Sequence, residues 1–224
     1  ILRKDLMMEL RTFEMLTSMG LFALLTMLVY RVTFAAAGSA LDVRSVASGL
    51  LWAALVFTSM LGLNRSLVHE KDQGCLEALL LSPVDRPVIF FAKAVGNFIF
   101  LVIVETLTVP VFWFMFLQGA GAKYGGAWYM LPLALLAGAA GIAGIGTMLA
   151  TISVNTKGKD FVLAVLFVPL IYPLLLAVVS ATTIAVMGPV AGGVSFWVWM
   201  GWATGYDVVM VLAAFGLYEF VIGA

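Results

Sequence analysis

Apolar residues fill this chain in long tracts, and its charged residues fall almost entirely between them. A helix needs about 20 apolar residues to cross the hydrocarbon core of a bilayer. Tracts of that kind run over residues 15–36, 46–63, 88–117 and 128–154. The first is interrupted only by Arg31 near its far end, where a long side chain can snorkel to the interface. The third carries a single acid, Glu105. The stretch 161–206 holds no charge, but Pro169, Pro173, Pro189 and the pair Gly192-Gly193 punctuate it. It predicts a fifth span over 161–181 and a short re-entrant or interfacial segment on the outer side over 188–202; a sixth span follows over 203–222. The expected fold is an all-α polytopic membrane protein, one transmembrane domain over 1–224 with six helices crossing the bilayer. Seven crossings remain the alternative within 161–206.

Charge orients these spans. With the N-terminus in the cytoplasm, the inside collects nine cations, Arg3, Lys4, Arg11, Arg65, Lys71, Arg86, Lys93, Lys157 and Lys159, against three outside, Arg31, Arg44 and Lys123. That asymmetry follows the positive-inside rule and predicts both termini cytoplasmic. Trp128, Tyr129 and the cluster Trp197, Trp199 and Trp202 fall at predicted outer boundaries, where amphipathic rings favour the headgroup zone. Leu2, Leu6, Leu10 and Phe13 recur at helical spacing among Arg3, Lys4, Arg11 and Glu14, so residues 1–14 are expected to lie as an amphipathic interfacial helix.

Composition excludes a soluble fold. Hydrophobic residues make up 63% of the 224 and charged residues 11%, whereas soluble domains carry about 25% charged residues. Lipid must therefore be the solvent for much of the surface. Twelve basic and twelve acidic residues cancel, so net charge gives no pull toward nucleic acid. With only Cys75 and His69, the chain offers no intrachain disulfide, zinc or haem-attachment pattern. It opens on Ile1 rather than Met, so a few residues are expected to precede it, and residues 2–14 are too charged for a signal-peptide core.

The connection 64–86 between spans two and three is the most informative segment. Charged residues run to Asp72, Gly74 breaks the run, and residues 75–81 read as a short apolar helix holding one acid, Glu77, before Pro83 stops it. A helix of two turns is marginal in water and must dock on something. The residues alone leave two surfaces equally open: the ends of the spans, or a separate soluble protein.

The pattern from Glu70 to Pro83, a glycine, a small residue, Leu-Glu and a leucine run before Ser-Pro, resembles the signature of ABC-2 type permeases. The whole chain resembles the haem exporter protein B (CcmB) family of bacterial cytochrome c maturation. The residues that carry this are Gly49-Leu50-Leu51-Trp52, Leu63-Asn64-Arg65-Ser66, Gly74-Cys75-Leu76-Glu77, Leu81-Ser82-Pro83-Val84-Asp85-Arg86, Asp207 and Glu219-Phe220. The resemblance implies an ABC-2 type permease fold in the bacterial inner membrane, with 64–86 as the coupling helix that enters a cleft of the ATPase subunit. Arg65, Glu70, Gly74, Cys75, Leu76, Glu77, Leu80, Pro83 and Arg86 are then the coupling residues. Lys93 falls where the ABC-2 family often has a lysine opening span three. The implied partners are a CcmA-like ATPase, a CcmC-like haem-handling membrane subunit, a small CcmD-like membrane subunit, a CcmE-like periplasmic haem chaperone and a second copy of this chain. The complex would drive haem export or release of the haem-loaded chaperone.

The residues themselves agree that the motor lies elsewhere. A phosphate-binding loop needs GxxxxGK[ST]. The closest run, Lys157-Gly158-Lys159, has Ser153 in place of the first glycine and Asp160 in place of the hydroxyl residue. This subunit is thus expected to be non-catalytic, to bind no cofactor directly, and to leave ATP to a partner and haem to the complex. Haem iron prefers His, Cys, Met or Tyr ligands; His69 and Cys75 sit on the docking side, and no histidine is predicted outside.

Three acids remain inside or near the spans. Glu105 lies midway along span three, where an ionised, unpaired carboxylate costs several kcal/mol; it is expected to be neutral, paired across helices or turned to a polar cavity. Asp207 and Glu219 are expected near opposite ends of span six. In span four, Ala139 with Ala143 and Ala140 with Gly144 place small residues at i, i+4, which lets helices approach closely. Other readings are an ABC-2 type exporter of another substrate, a proton-coupled secondary transporter using Glu105, and a scaffold that moves nothing.

Overall fold

In the computed structural model, residues 2, 7, 9, 11–37, 43–72, 86–117, 127–154, 159–188 and 193–223 are described. Each apolar tract is a helix: α1 Glu14–Ala37, α2 Val43–Asp72, α3 Arg86–Phe112, α4 Leu131–Val154, α5 Lys159–Met187 and α6 Phe196–Gly223. Among the described residues, six windows are long and apolar enough to cross a bilayer: Glu14–Ala36, Val46–Leu63, Val88–Leu117, Trp128–Ile152, Val165–Met187 and Phe196–Gly216. The protein is a polytopic helical membrane protein.

Local chemistry sets the ends of these helices. Phe13, at φ 51°, breaks the chain just before α1; among residues 1–13, Leu2, Met7, Glu9, Arg11 and Thr12 are described as helical. The backbone N–H of Leu16 donates to Glu9 Oε1 at 2.8 Å, meeting one of the unsatisfied amides of the first turn of α1. Pro110 in α3 leaves the Thr106 carbonyl without its helical donor, and the helix ends in a wider π turn at Trp113–Leu117. The backbone of α5 continues helically through Pro169 and Pro173 and stops at Gly188, whose φ of 89° is left-handed and whose N–H returns to the Ile184 carbonyl at 2.9 Å. The amides of Val198 and Trp199 then close on the Ser195 carbonyl to open α6.

This placement moves the boundary read from the charge-free tract. The fifth span reaches Met187, and the sixth begins at Phe196 rather than at residue 203. Trp197, Trp199 and Trp202 stand in the first two turns of α6, so the segment set apart at 188–202 is, from Phe196 onward, part of the last span. Proline is tolerated inside a membrane helix because neighbouring groups satisfy the freed backbone, which is why Pro169 and Pro173 do not end α5.

Side-chain contacts fix the sense of each crossing. A Cβ at Gly62, late in α2, would meet Met19 Sδ, early in α1, at 2.6 Å, so these helices are antiparallel. Asn97, early in α3, donates from Nδ2 to Thr147 Oγ1, late in α4, at 2.9 Å. Along α4, Gly138 and then Gly146 lie against Trp52 and then Leu63 of α2, while Gly141 and then Gly144 lie against Asp207 and then Val211 of α6. Helices α2, α4 and α6 therefore run one way. Helix α5 runs against them, since Leu174 meets Gly141 while the later Thr182 bonds to Trp52 beside the earlier Gly138. Six alternating crossings bring the start of α1, the end of α2, the start of α3, the end of α4, the start of α5 and the end of α6 to one face.

Helix α4 is the axis of the bundle. Protein buries 83% of its apolar window, against 17% for the windows of α1 and α6, which present Leu21, Leu25, Leu28, Val208, Val209 and Leu212 outward to lipid.

Candidate functional site

Polar side chains buried in a bilayer are costly and therefore informative. Here they gather around α4. On α3, Lys93, Asn97, Glu105 and Thr108 are all buried, with Leu101 and Val104 on the same helical face. Asn97 is satisfied by Thr147 of α4, and Thr151 Oγ1 donates one turn back to the Thr147 carbonyl at 2.8 Å. Glu105 sits 5% exposed, one helical turn beyond Leu101, near the middle of the span. Eight residues separate it from Asn97, about 12 Å of helix, which brings it to the level of Gly138 and Gly141 on the antiparallel α4.

Trp52 of α2 occupies the junction of three helices. Its ring lies over Gly138 of α4, where a Cβ would overlap the indole, and its Nε1–H donates to Thr182 Oγ1 of α5 at 2.9 Å. The packing of α2 leaves Trp52 and Thr182 with no exposed surface. Nearby, the Ser59 hydroxyl is satisfied by the Val56 carbonyl, whereas Thr58 Oγ1 is buried without a hydrogen-bond partner.

Asp207 occupies the junction of α4, α5 and α6. A span starting at residue 203 puts it at the membrane edge, where a carboxyl is solvated or capped. In the apolar window Phe196–Gly216 it stands near the middle and is 8% exposed. Its carboxyl rests on Gly141, where a Cβ would overlap both Asp207 Oδ1 and Leu174 Cδ2, and Oδ1 has no hydrogen-bond partner. The neighbouring Tyr206 hydroxyl donates to the Leu170 carbonyl of α5. Glu219 lies beyond the apolar window, on the last turns of α6, where only the backbone is described.

The coupling residues fall mostly beyond description. Gly74, Cys75, Leu76, Glu77, Leu80 and Pro83 lie outside the described residues. Arg65 and Glu70 are on the backbone of α2 past its apolar window, and Arg86 opens α3. Among the small residues of α4, Ala139 and Ala143 are buried and Gly144 accepts Val211 of α6, but Ala140 is exposed. The residues the i, i+4 pattern passes over are Gly138, Gly141 and Gly146, which seat Trp52, Asp207 and Leu63. Their signal in the sequence is the glycine density of span four; the side chains that fill them come from distant segments.

Among the described residues, no three His, Cys, Asp or Glu side chains form a group able to hold a metal ion.

The family model described as CcmB protein matches residues 1–219. The heme exporter protein B of Rhodobacter capsulatus is 27% identical over 131 residues, 58% of this chain and 58% of that protein, so the match spans less than two thirds of that relative. The heme exporter protein B of Pseudomonas aeruginosa is 26% identical over 69% of this chain and 67% of its own length. That of Bradyrhizobium diazoefficiens is 24% identical over 100% of this chain and 91% of its own length.

Proposed function

The chain belongs to the CcmB protein family, and on that premise we propose that it is the permease subunit of an ABC transporter that exports haem for cytochrome c maturation. Its relatives carry the name heme exporter protein B. The observation that carries the reading to this chain is the length of α2. Its apolar window ends at Leu63, yet the helix runs on to Asp72. Nine further residues extend about 13 Å, which takes a charged helix out of the hydrocarbon and into reach of a soluble subunit.

In this reading ATP is bound and hydrolysed by a separate CcmA-like subunit, which receives the segment 64–86 in a cleft. Leu76 and Leu80 present the apolar side of the docking helix, while Arg65, Glu70, Glu77 and Arg86 flank it with charge. A second copy of the chain, a CcmC-like haem-handling subunit, a small CcmD-like subunit and a CcmE-like periplasmic chaperone complete the assembly in the bacterial inner membrane. Both termini face the cytoplasm, as the distribution of cations favours. Force delivered at α2 drives either haem export or release of the loaded chaperone. A proton-coupled carrier draws on the buried Glu105, but it gives the protruding end of α2 no role.

The test is association. Leu76→Asp and Leu80→Asp, each inserted in the membrane at wild-type level, are expected to lose the co-purifying ATPase. Retention of the ATPase by both variants contradicts the docking assignment.

A further inference from the structure

The protruding end of α2 and the bundle core are joined by two seats on α4. Trp52 lies over Gly138 and Leu63 over Gly146, and at both glycines the place of a Cβ is already taken by the α2 side chain. The contacts are eleven residues apart on α2 and eight apart on α4, about 16 Å and 12 Å of helix. Two such contacts fix both the separation and the relative tilt of the helices. Packed interiors have low compressibility and transmit strain, so a knob seated on bare backbone has little room to yield. Helix α2 holds no proline between Val43 and Asp72, and Pro132 of α4 sits in its first turn, where it does not interrupt the helix. In contrast, α5 carries Pro169 and Pro173 well inside its length, and α3 carries Pro110 close to its end.

We propose that α2 and α4 act as one rigid lever, with Leu63 in the Gly146 seat and Trp52 in the Gly138 seat as its positioning residues. Displacement of the α2 end is thereby delivered to the centre of the bundle. This rests on the reading that 64–86 receives a nucleotide-driven partner. The lever has two outlets. Trp52 binds α5 through Thr182, and the other glycines of α4, Gly141 and Gly144, hold Asp207 and Val211 of the lightly buried α6. Movement of α4 thus reaches the buried carboxyl of Asp207 directly, through the seat at Gly141.

The test exploits size. Leu63→Ala removes as many side-chain carbons as Gly146→Val adds, so the double variant conserves volume at the seat. The complex with its ATPase subunit, carrying Tyr129→Cys, is placed in nanodiscs; position 129 is 76% exposed, just ahead of α4 and at the opposite face from the end of α2. Maleimide labelling of the introduced thiol is followed with and without ATP and vanadate, and Cys75 is read separately by mass spectrometry. Wild-type contacts are expected to give a nucleotide-dependent labelling rate at 129. Leu63→Ala and Gly146→Val are each expected to lose that dependence while still binding the ATPase, and the double variant to regain it. Leu63→Ala, which adds no bulk, serves should Gly146→Val fail to fold. Nucleotide dependence that persists in the single variants, is missing from the wild type, or is not regained in the folded double variant overturns the lever alone. Failure of wild-type chain to bind the ATPase overturns the functional reading and the lever with it.

Discussion

The indole N–H of Trp52 donates to Thr182 Oγ1 at 2.9 Å, tying α2 to α5 across the face of Gly138 on α4. One side chain thus joins three of the six crossings. Trp52→Phe keeps a ring over the glycine but leaves the buried Thr182 hydroxyl without its donor, and should cost about 1–3 kcal/mol. Trp52→Ala also opens a cavity and should cost about 3–5 kcal/mol. Unfolding midpoints in detergent check the ranking; equal losses from the two substitutions contradict the role of the ring.

The glycines of this protein should divide into two classes. Gly141→Ala drives a methyl into Asp207 and Leu174 and should destabilise by about 1–3 kcal/mol, as overpacking does. Gly201→Ala meets no atom within 4 Å and should leave stability unchanged or raise it by about 1 kcal/mol through helix propensity. Thermal unfolding of the two single variants side by side decides; equal effects contradict the packing described for α4.

Much of this architecture is legible in the sequence, and the exceptions have physical causes. Spans one to four are delimited by charges, which cannot sit unpaired in hydrocarbon, and the observed windows match them closely. Between 161 and 206 no charge marks an end, so prolines and glycines were the only punctuation. Membrane helices accept such residues in their interior, and α5 does so at Pro169 and Pro173. The late start this gives span six moves Asp207 from the middle of its apolar window to an edge. The paired small residues of α4 have a different fate. Ala139 and Ala143 are indeed buried, but Ala140 faces outward. Which glycine becomes a seat depends on the side chain that arrives from another helix, and that information is not local.

The left-handed turn at Gly188 gives a third prediction. At φ 89° a Cβ is strained regardless of space, so Gly188→Ala should cost about 1–2 kcal/mol and Gly188→Asn less. Unfolding of the two variants checks it. An unchanged midpoint for Gly188→Ala contradicts the described end of α5.

Asp207 should matter more to activity than to folding. Its Oδ1 is buried without a partner, so the fold gains little from the carboxylate. Asp207→Asn is expected to insert and assemble with a midpoint at or above that of the wild type, while the haem delivery proposed for the complex falls. Full activity in a stable variant would reduce Asp207 to packing.

Topology has a direct check in the lone thiol, Cys75. In sealed cells an impermeant maleimide should leave it unlabelled, and in inverted vesicles it should be labelled. Labelling of intact cells would reverse the orientation drawn from the cations.

The central claim is that this six-helix subunit is driven by a separate ATPase through the segment that follows α2. Co-expression of the wild-type chain with the candidate ATPase subunit, followed by purification from detergent, tests it most directly. The account predicts a stable complex that hydrolyses ATP and that dissolves when Leu76 and Leu80 are made acidic. A well-folded wild-type chain that brings down no ATPase would contradict it.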